Sequence, residues 1–232
     1  MYVKSAIIKF TMVGNPEIKL LESRVRRKPQ ARFGEGYTEK GRSCYLAGYL
    51  LYTTDGRKIG LDQRLINPDL PDEPGSKVNV CMDNVFRIWT DTAETRGTQL
   101  IFCDYSTPKN DGSFNDYDDI KKKLIAKGVP EEQIAFIHDA TNEAKREELF
   151  AKVRSGEIRV LIGSTQKMGA GTNVQERLVA SHDLDAPYRP ADMEQRRGRM
   201  VRQGNQNSKV HLYRYCTKDT FDAYLFVRHE VA

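Results

Sequence analysis

No stretch of this 232-residue chain approaches the roughly 18 consecutive apolar residues that a membrane-spanning helix requires. The N-terminal "MYVKSAIIKFTMVGNPEIK" lacks a long apolar core and a small-residue cleavage site, so a secretory signal is not expected. Cysteine is scarce and scattered. Cys44, Cys81, Cys103 and Cys216 form no C-x-x-C pair, which speaks against a zinc site or a disulfide framework and fits reduced thiols in a cytoplasmic protein. There is no internal repeat. Nor is there a G-x-x-x-x-G-K-[ST] loop anywhere, or even a Gly-Lys dipeptide. The only Asp-Glu pair, Asp72-Glu73, lies among prolines rather than after an apolar strand. A self-contained cradle for a nucleoside triphosphate and Mg is therefore missing.

What remains suits a water-soluble protein with a real core. The hydrophobic share is 39% and the mean hydropathy −0.63, enough length and apolar content for one large domain or two small ones. A net charge of +5 permits a nucleic-acid partner without demanding one.

From about residue 95 onward, short apolar runs alternate with charged helical stretches. "TQLIFCD" reads as a strand buried on both faces, "QIAFIH", "IRVLIGS" and "RLVASHD" as further strands, and "VHLYRYC" as the last such element. "FNDYDDIKKKLIAKG" places Phe114, Tyr117, Ile120, Leu124 and Ile125 at helical spacing and stops at Gly128. "TNEAKREELFAKVRSG" is a second helix, burying Leu149, Phe150 and Val153 and ending at Gly156. A final short helix is expected over "DTFDAYLF". Short links between such units imply a parallel sheet covered by helices on both faces, with ligands beyond the carboxyl ends of its strands.

Residues 1–94 have a different texture. "SRVRRKPQARFGEGYTEKGRS" is basic, Gly-rich and aperiodic, "GRKIGLDQRLI" suits a short helix, and "NPDLPDEPGSK" reads as a linker. "VNVCMDNVFRIWTDTAETRG" puts Val80, Val85, Ile88 and Trp89 near one helical face. The expected division is an N-terminal extension and linker over 1–78 and an α/β domain over 79–232.

Two stretches that follow strands carry the candidate chemistry. "APYRPADMEQRRGRMVRQGNQ" packs five arginines around Gly198. Pro190 suits a first helical turn, and Asp192 and Glu194 complement its positive end. If that helix runs on, Gln195, Arg199 and Arg202 share a face, while Arg196 and Arg197 point elsewhere and form structural ion pairs. "STQKMGAGTN" sets Gly169 and Gly171 around one small residue, with Ser164, Thr165, Thr172 and Asn173 nearby as donors. Alone, the first stretch is as readily a solvated basic helix and the second an ordinary loop.

Together these stretches resemble the second RecA-like lobe of superfamily-two helicases, most closely the Swi/Snf-like branch. "QLIFCDYS" is similar to the strand motif that opens that lobe, and "IHDATNEAKREELFAKVRSGEIRVLIGSTQKMGAGTNVQ" to its following helix, strand and Gly-rich motif. "HDLDAPYRPADMEQRRGRMVRQGN" resembles the arginine-finger motif D-x-P-W-N-P…Q-R-x-G-R-x-x-R-x-G-Q, with Tyr188 and Arg189 where Trp and Asn are usual and Asn205 before Gln206. "DQRLINPDLPDEPGSKVN" and "RGTQLIFCDYSTPK" also resemble the large helicase–DNA methylase polypeptides of phages and mobile elements. In those polypeptides a segment like "TMVGNPEIK" follows the lobe, whereas here it comes first.

The resemblance implies a RecA-like parallel sheet preceded by an irregular or helical N-terminal extension. It implies arginine fingers at Arg199 and Arg202, and nucleotide contacts at Gln195, Gly169, Gly171 and Asn173. Thr165 and Lys167 would touch the nucleic-acid backbone without reading sequence. ATP and Mg would be bound mainly by a first lobe that this chain lacks. The implied partners are DNA, that first RecA-like lobe, and an adenine-specific DNA methylase domain. Two functions remain open: the second motor lobe of a DNA helicase or translocase, and a non-catalytic nucleic-acid-binding module or remnant. The missing phosphate loop disfavours a third, a stand-alone nucleotide enzyme.

Overall fold

The computed structural model describes residues 5–13, 54–108, 112–168, 172–187, 189–200 and 203–217, with Thr220 and Leu225, and only the backbone of 5–13 and of Arg199. The expected short helix over 219–226 and the basic stretch between 23 and 43 lie outside the described residues, Thr220 and Leu225 of the former excepted.

Six strands form one sheet: β1 Ser5–Val13, β2 Thr98–Phe102, β3 Ile134–Phe136, β4 Val160–Gly163, β5 Leu178–Asp183 and β6 Lys209–Thr217, in the order β1-β6-β5-β2-β4-β3. β2 to β6 run parallel, and β1 lies antiparallel to β6, from Ser5 opposite Thr217 to Val13 opposite Lys209. The five strands expected from apolar runs are thus present in a RecA-like arrangement. β1 is an addition that the sequence reading did not anticipate.

Helices cover both faces, so the central strands are buried throughout. On one side lie α2 (Lys77–Asp91) and α3 (Asp116–Ala126), where Val78, Cys81, Met82, Val85, Tyr117, Ile120 and Leu124 pack with Ile101 and Ile162. On the other, Phe150 and Val153 of α4 (Glu143–Ser155) and Met200 of α5 (Pro190–Met200) pack with Leu100, Phe102 and Leu161. Successive residues of β2 therefore feed opposite cores, as the period of a strand dictates. The face of α2 is rotated from the expected one: Val80 and Trp89 are only partly buried. Ile125 of α3 is 39% exposed, because it sits about 100° round the helix from Leu124.

Local chemistry sets the helix ends. Ser76, Asn115 and Asn142 each accept a backbone N–H with their side-chain oxygen at the start of α2, α3 and α4. Gly156 closes α4 at φ +77, the left-handed conformation that favours glycine.

The segment before α2 is bound to the same sheet. Helical residues 54–61 (α1) bury Leu61 in the core, and Thr217 Oγ1 donates to the Gly60 carbonyl at 2.7 Å. Arg64 is fastened to Asp62 at 2.6 Å and to Asp119 of α3 at 2.8 Å.

Candidate functional site

Parallel strands deliver their carboxyl ends to one rim. There, β2 runs into Asp104, β4 into Ser164 and Thr165, and β5 ends at Asp183 with Asp185 two residues on. Pro190 then starts α5, whose buried positions are Met193, Arg196 and Met200, spaced three and four residues apart on one face.

Arg196 is 0% exposed and joins all of these pieces. Its Nε donates to Thr165 Oγ1 at 2.8 Å. Nη1 donates to Asp183 Oδ1 at 3.0 Å and to the Asp185 carbonyl at 2.9 Å, and Nη2 to Asp104 Oδ2 at 2.9 Å and Asp185 Oδ1 at 3.2 Å. A guanidinium has five N–H groups, and five acceptors surround this one. Its Cζ lies 4.8 Å from the Phe102 ring centroid. Burial works against its charge, yet Asp183, Asp104 and Asp185 outweigh burial and hold its pKa above the ordinary arginine value. Burial and the neighbouring Asp104 push Asp185 up to about 7, against the pull of Arg196 and of the Asp104 N–H.

The predicted site residues fall around this hub. The Thr165 N–H and hydroxyl both donate to Asp104, at 2.6 and 2.8 Å, so its donors are committed within the chain. Lys167 is exposed, two residues further along the same turn. Asn173 is exposed, and its carbonyl accepts from Arg154 Nη1 at 3.0 Å. Gln195 is exposed on α5, next to the buried Arg196. Arg199 belongs to α5 by its backbone. Gly169, Gly171 and Arg202 lie outside the described residues. Arg197 pairs with Glu194 at 2.8 Å on the surface.

Sequence reasoning missed Asp104, Asp183 and Asp185. A signal for them exists, because the runs "QLIFCD" and "LVASHDLD" end in acids whose ionised forms cannot stay in a buried strand unpaired. It also missed Arg57 of α1. This guanidinium donates to the Ala186 carbonyl and lies 3.9 Å over the Tyr105 ring, which clamps the loop between β5 and α5. Among the described residues, no helix is long and apolar enough to cross a membrane.

The family model of the helicase conserved C-terminal domain matches residues 76–204. Among curated proteins, the chain is similar to the defense against restriction protein B of Escherichia phage P1. The two are 32% identical over 78 residues, which is 34% of this chain and 3% of the phage protein. Among solved structures it is similar to the C-terminal part of the Fun30 ATPase domain, with a TM-score of 0.50 and 20% identity over 68% of this chain and 47% of that one. It is also similar to the Pyrococcus furiosus Hef helicase domain, with a TM-score of 0.46 and 15% identity over 66% of this chain and 28% of that one. The chain thus spans about half of the Fun30 chain and a small fraction of the phage protein.

Proposed function

The chain belongs to the helicase conserved C-terminal domain family, and from that premise we propose that it is the second lobe of an ATP-dependent DNA motor. In this reading residues 79–232 are the lobe and 1–78 an extension. A first RecA-like lobe, in another chain or another part of the same protein, holds most of the ATP and Mg. An adenine-specific DNA methylase domain as neighbour rests on the sequence resemblance alone.

The observation that supports the reading most is the lock that Arg196 puts on α5. Groups that meet a transferring phosphoryl group must be held in place before the cleft closes. A helix tied to three strand ends through one saturated guanidinium meets that need, with Gln195 exposed beside it. We assign Arg199 and Arg202 as the fingers, since their planar forks match phosphate oxygens, and Gln195, Gly169, Gly171 and Asn173 as nucleotide contacts. ATP supplies the phosphoryl group when bound; this chain supplies charge and orientation. Lys167 makes the sequence-independent backbone contact, and Thr165 holds the turn beneath it through Asp104.

The test restores a first lobe by fusion or co-expression, so that DNA-stimulated ATPase activity appears. Arg199→Ala or Arg202→Ala then lowers turnover about a thousandfold or more, the lower end of the ~10³–10⁵ range for arginine fingers. Arg→Lys rescues little at either position, and DNA affinity barely moves. Arg197→Ala is the control, because that side chain is spent on Glu194. Loss of DNA binding with turnover intact, and with lysine an adequate substitute, would overturn the motor reading in favour of a nucleic-acid-binding module.

A further inference from the structure

An arginine stands just before each of the three central strands: Arg96 before β2, Arg159 before β4 and Arg177 before β5. Because β5, β2 and β4 are neighbours, the three line up along the edge of the sheet opposite Asp104, Thr165 and Asp185. Adjacent strands lie about 4.8 Å apart, so the row spans about 10 Å.

Part of each guanidinium is spent on backbone carbonyls. Arg96 Nε donates to Gly156 O at 2.9 Å. Arg159 donates through Nε to Gly97 O at 3.2 Å and through Nη2 to Trp89 O at 2.6 Å and Thr92 Oγ1 at 3.0 Å. Arg177 donates through Nε to Arg154 O at 3.2 Å and through Nη1 to Thr95 O at 2.8 Å. Several of these carbonyls end α2 and α4, where positive charge is favoured. Capping them explains one edge of each fork. It leaves both terminal nitrogens of Arg96, Nη1 of Arg159 and Nη2 of Arg177 without an acceptor among the described residues.

Their charges are also unmatched. The surface arginines Arg87, Arg146, Arg154 and Arg197 each face a carboxylate, at 3.3, 3.3, 2.6 and 2.8 Å. Among the described residues, Arg96, Arg159 and Arg177 pair with none. Instead they crowd one another. A β-carbon on Gly156 would stand 2.9 Å from Arg96 Cβ and 3.2 Å from Arg177 Cδ, so only glycine lets those two stems converge. Arg96 itself takes the left-handed conformation, φ 51, which is unfavourable for a residue with a side chain. Burial, and then the charge of Arg96, push Arg159 down to about 10. The exposed Arg96 and the half-buried Arg177 thus keep N–H groups that meet no carboxylate, in front of the buried charge of Arg159, and an oxyanion would satisfy them.

We propose that this edge is a phosphate-binding site, in which Arg96 and Arg177 grip the phosphodiester backbone of a nucleic acid, with the buried Arg159 adding charge behind them, on the side of the lobe away from the Arg196 rim. The site rests on the DNA-motor reading proposed above, which supplies the polyanion, and the planar forks of Arg96 and Arg177 supply the geometry.

The test is anisotropy titration of a fluorescein-labelled DNA duplex of arbitrary sequence with the full chain, at several salt concentrations. The double variant R96Q/R177Q should bind about tenfold more weakly at low salt, with a log–log salt slope shallower by about two, one for each lost phosphate contact. K121Q/K127Q, which removes two charges already paired with Glu131 and Asp83, should match the parent chain. A second measurement needs no variant: bound duplex should protect Arg96 and Arg177 of the unaltered chain from phenylglyoxal, read by mass spectrometry. Unchanged affinity and slope in a folded R96Q/R177Q, or equal modification with and without DNA, would overturn the proposal. An effect confined to Lys167→Ala would do the same while leaving the motor reading intact. Weakened binding of an acidic peptide by R96Q/R177Q, with duplex binding unchanged, would reassign the edge to a protein partner.

Discussion

Arg196 carries one positive charge into a place where three carboxylates, Asp104, Asp183 and Asp185, would otherwise repel one another. Such a pair adds modestly when whole and costs heavily when broken, because the stranded charges stay buried. Arg196→Ala should therefore lower unfolding free energy in urea by about 3–5 kcal/mol. Arg196→Lys should recover only part, since three donors cannot serve five acceptors. A loss below about 1 kcal/mol would show that the network relaxes without its centre. Asp116 poses the opposite problem. It is 0% exposed, and neither carboxylate oxygen meets a hydrogen-bond partner among the described residues. Burial first, then Asp62 and Asp119, raise its pKa to about 7. The folded chain therefore keeps this group neutral after the unfolded chain has ionised it. The stability it contributes is complete below pH ~4 and is lost as pH rises toward 7. At ~1.4 kcal/mol per pKa unit the loss is a few kcal/mol. Asp116→Asn should flatten the decline in urea midpoint between pH 4 and 7 and stabilise the chain at pH 8. Some slope should survive, since burial and Asp104 push Asp185 the same way. An identical pH profile in the variant would show that Asp116 ionises freely in the fold.

At the level of elements, legibility followed whether a signal was local. Buried parallel strands are contiguous apolar runs, so β2, β4 and β5 could be read directly, while β3 ends at Phe136 and gives way to a tight turn over Ile137–Asp139. Gly128 and Gly156 were readable as stops because positive φ is a property of one residue. β1 was not readable: its partner β6 lies at the other end of the chain, and pairing there is a tertiary choice. The same limit governs the site. Helical spacing gave Gln195 and Arg199 a shared face, and it correctly assigned Arg196 and Arg197 to ion pairs. It could not say that Arg196 would be the buried centre, because its acids come from strand ends that only the order β5-β2-β4 makes neighbours. Gly163 carries a further hidden constraint. A β-carbon there would stand 2.5 Å from Ile137 Cγ2 and 2.8 Å from Met168 Cγ, so glycine is what lets the turn after β4 fold back over its own strand. No pattern within "IRVLIGS" reveals that packing.

On the proposed reading, the molecule as a whole contains one side of a reaction. Its rim presents a locked, arginine-bearing helix. Nowhere in its 232 residues is there a G-x-x-x-x-G-K-[ST] loop to hold a triphosphate, and among the described residues no cluster of acids could hold a metal ion. Arginine fingers lower a barrier only for a phosphoryl group that something else has already positioned, since catalysis here is orientation plus charge stabilisation. If Arg199 and Arg202 are the fingers proposed above, a lobe that carries them without the cradle should bind nucleic acid yet turn over no ATP. This chain alone should release phosphate at the background rate, and added DNA should not change that. The measurement is phosphate release from a preparation freed of contaminating ATPases, with and without duplex, beside the same chain joined to a first lobe. DNA-stimulated release from the chain alone, persisting through purification, would overturn the idea that the cradle must come from elsewhere. If that release also vanished in Arg199→Ala, the fingers would be right and the division of labour wrong. The nucleotide site would then be completed by a second copy of this chain or by residues that the motif reading passed over.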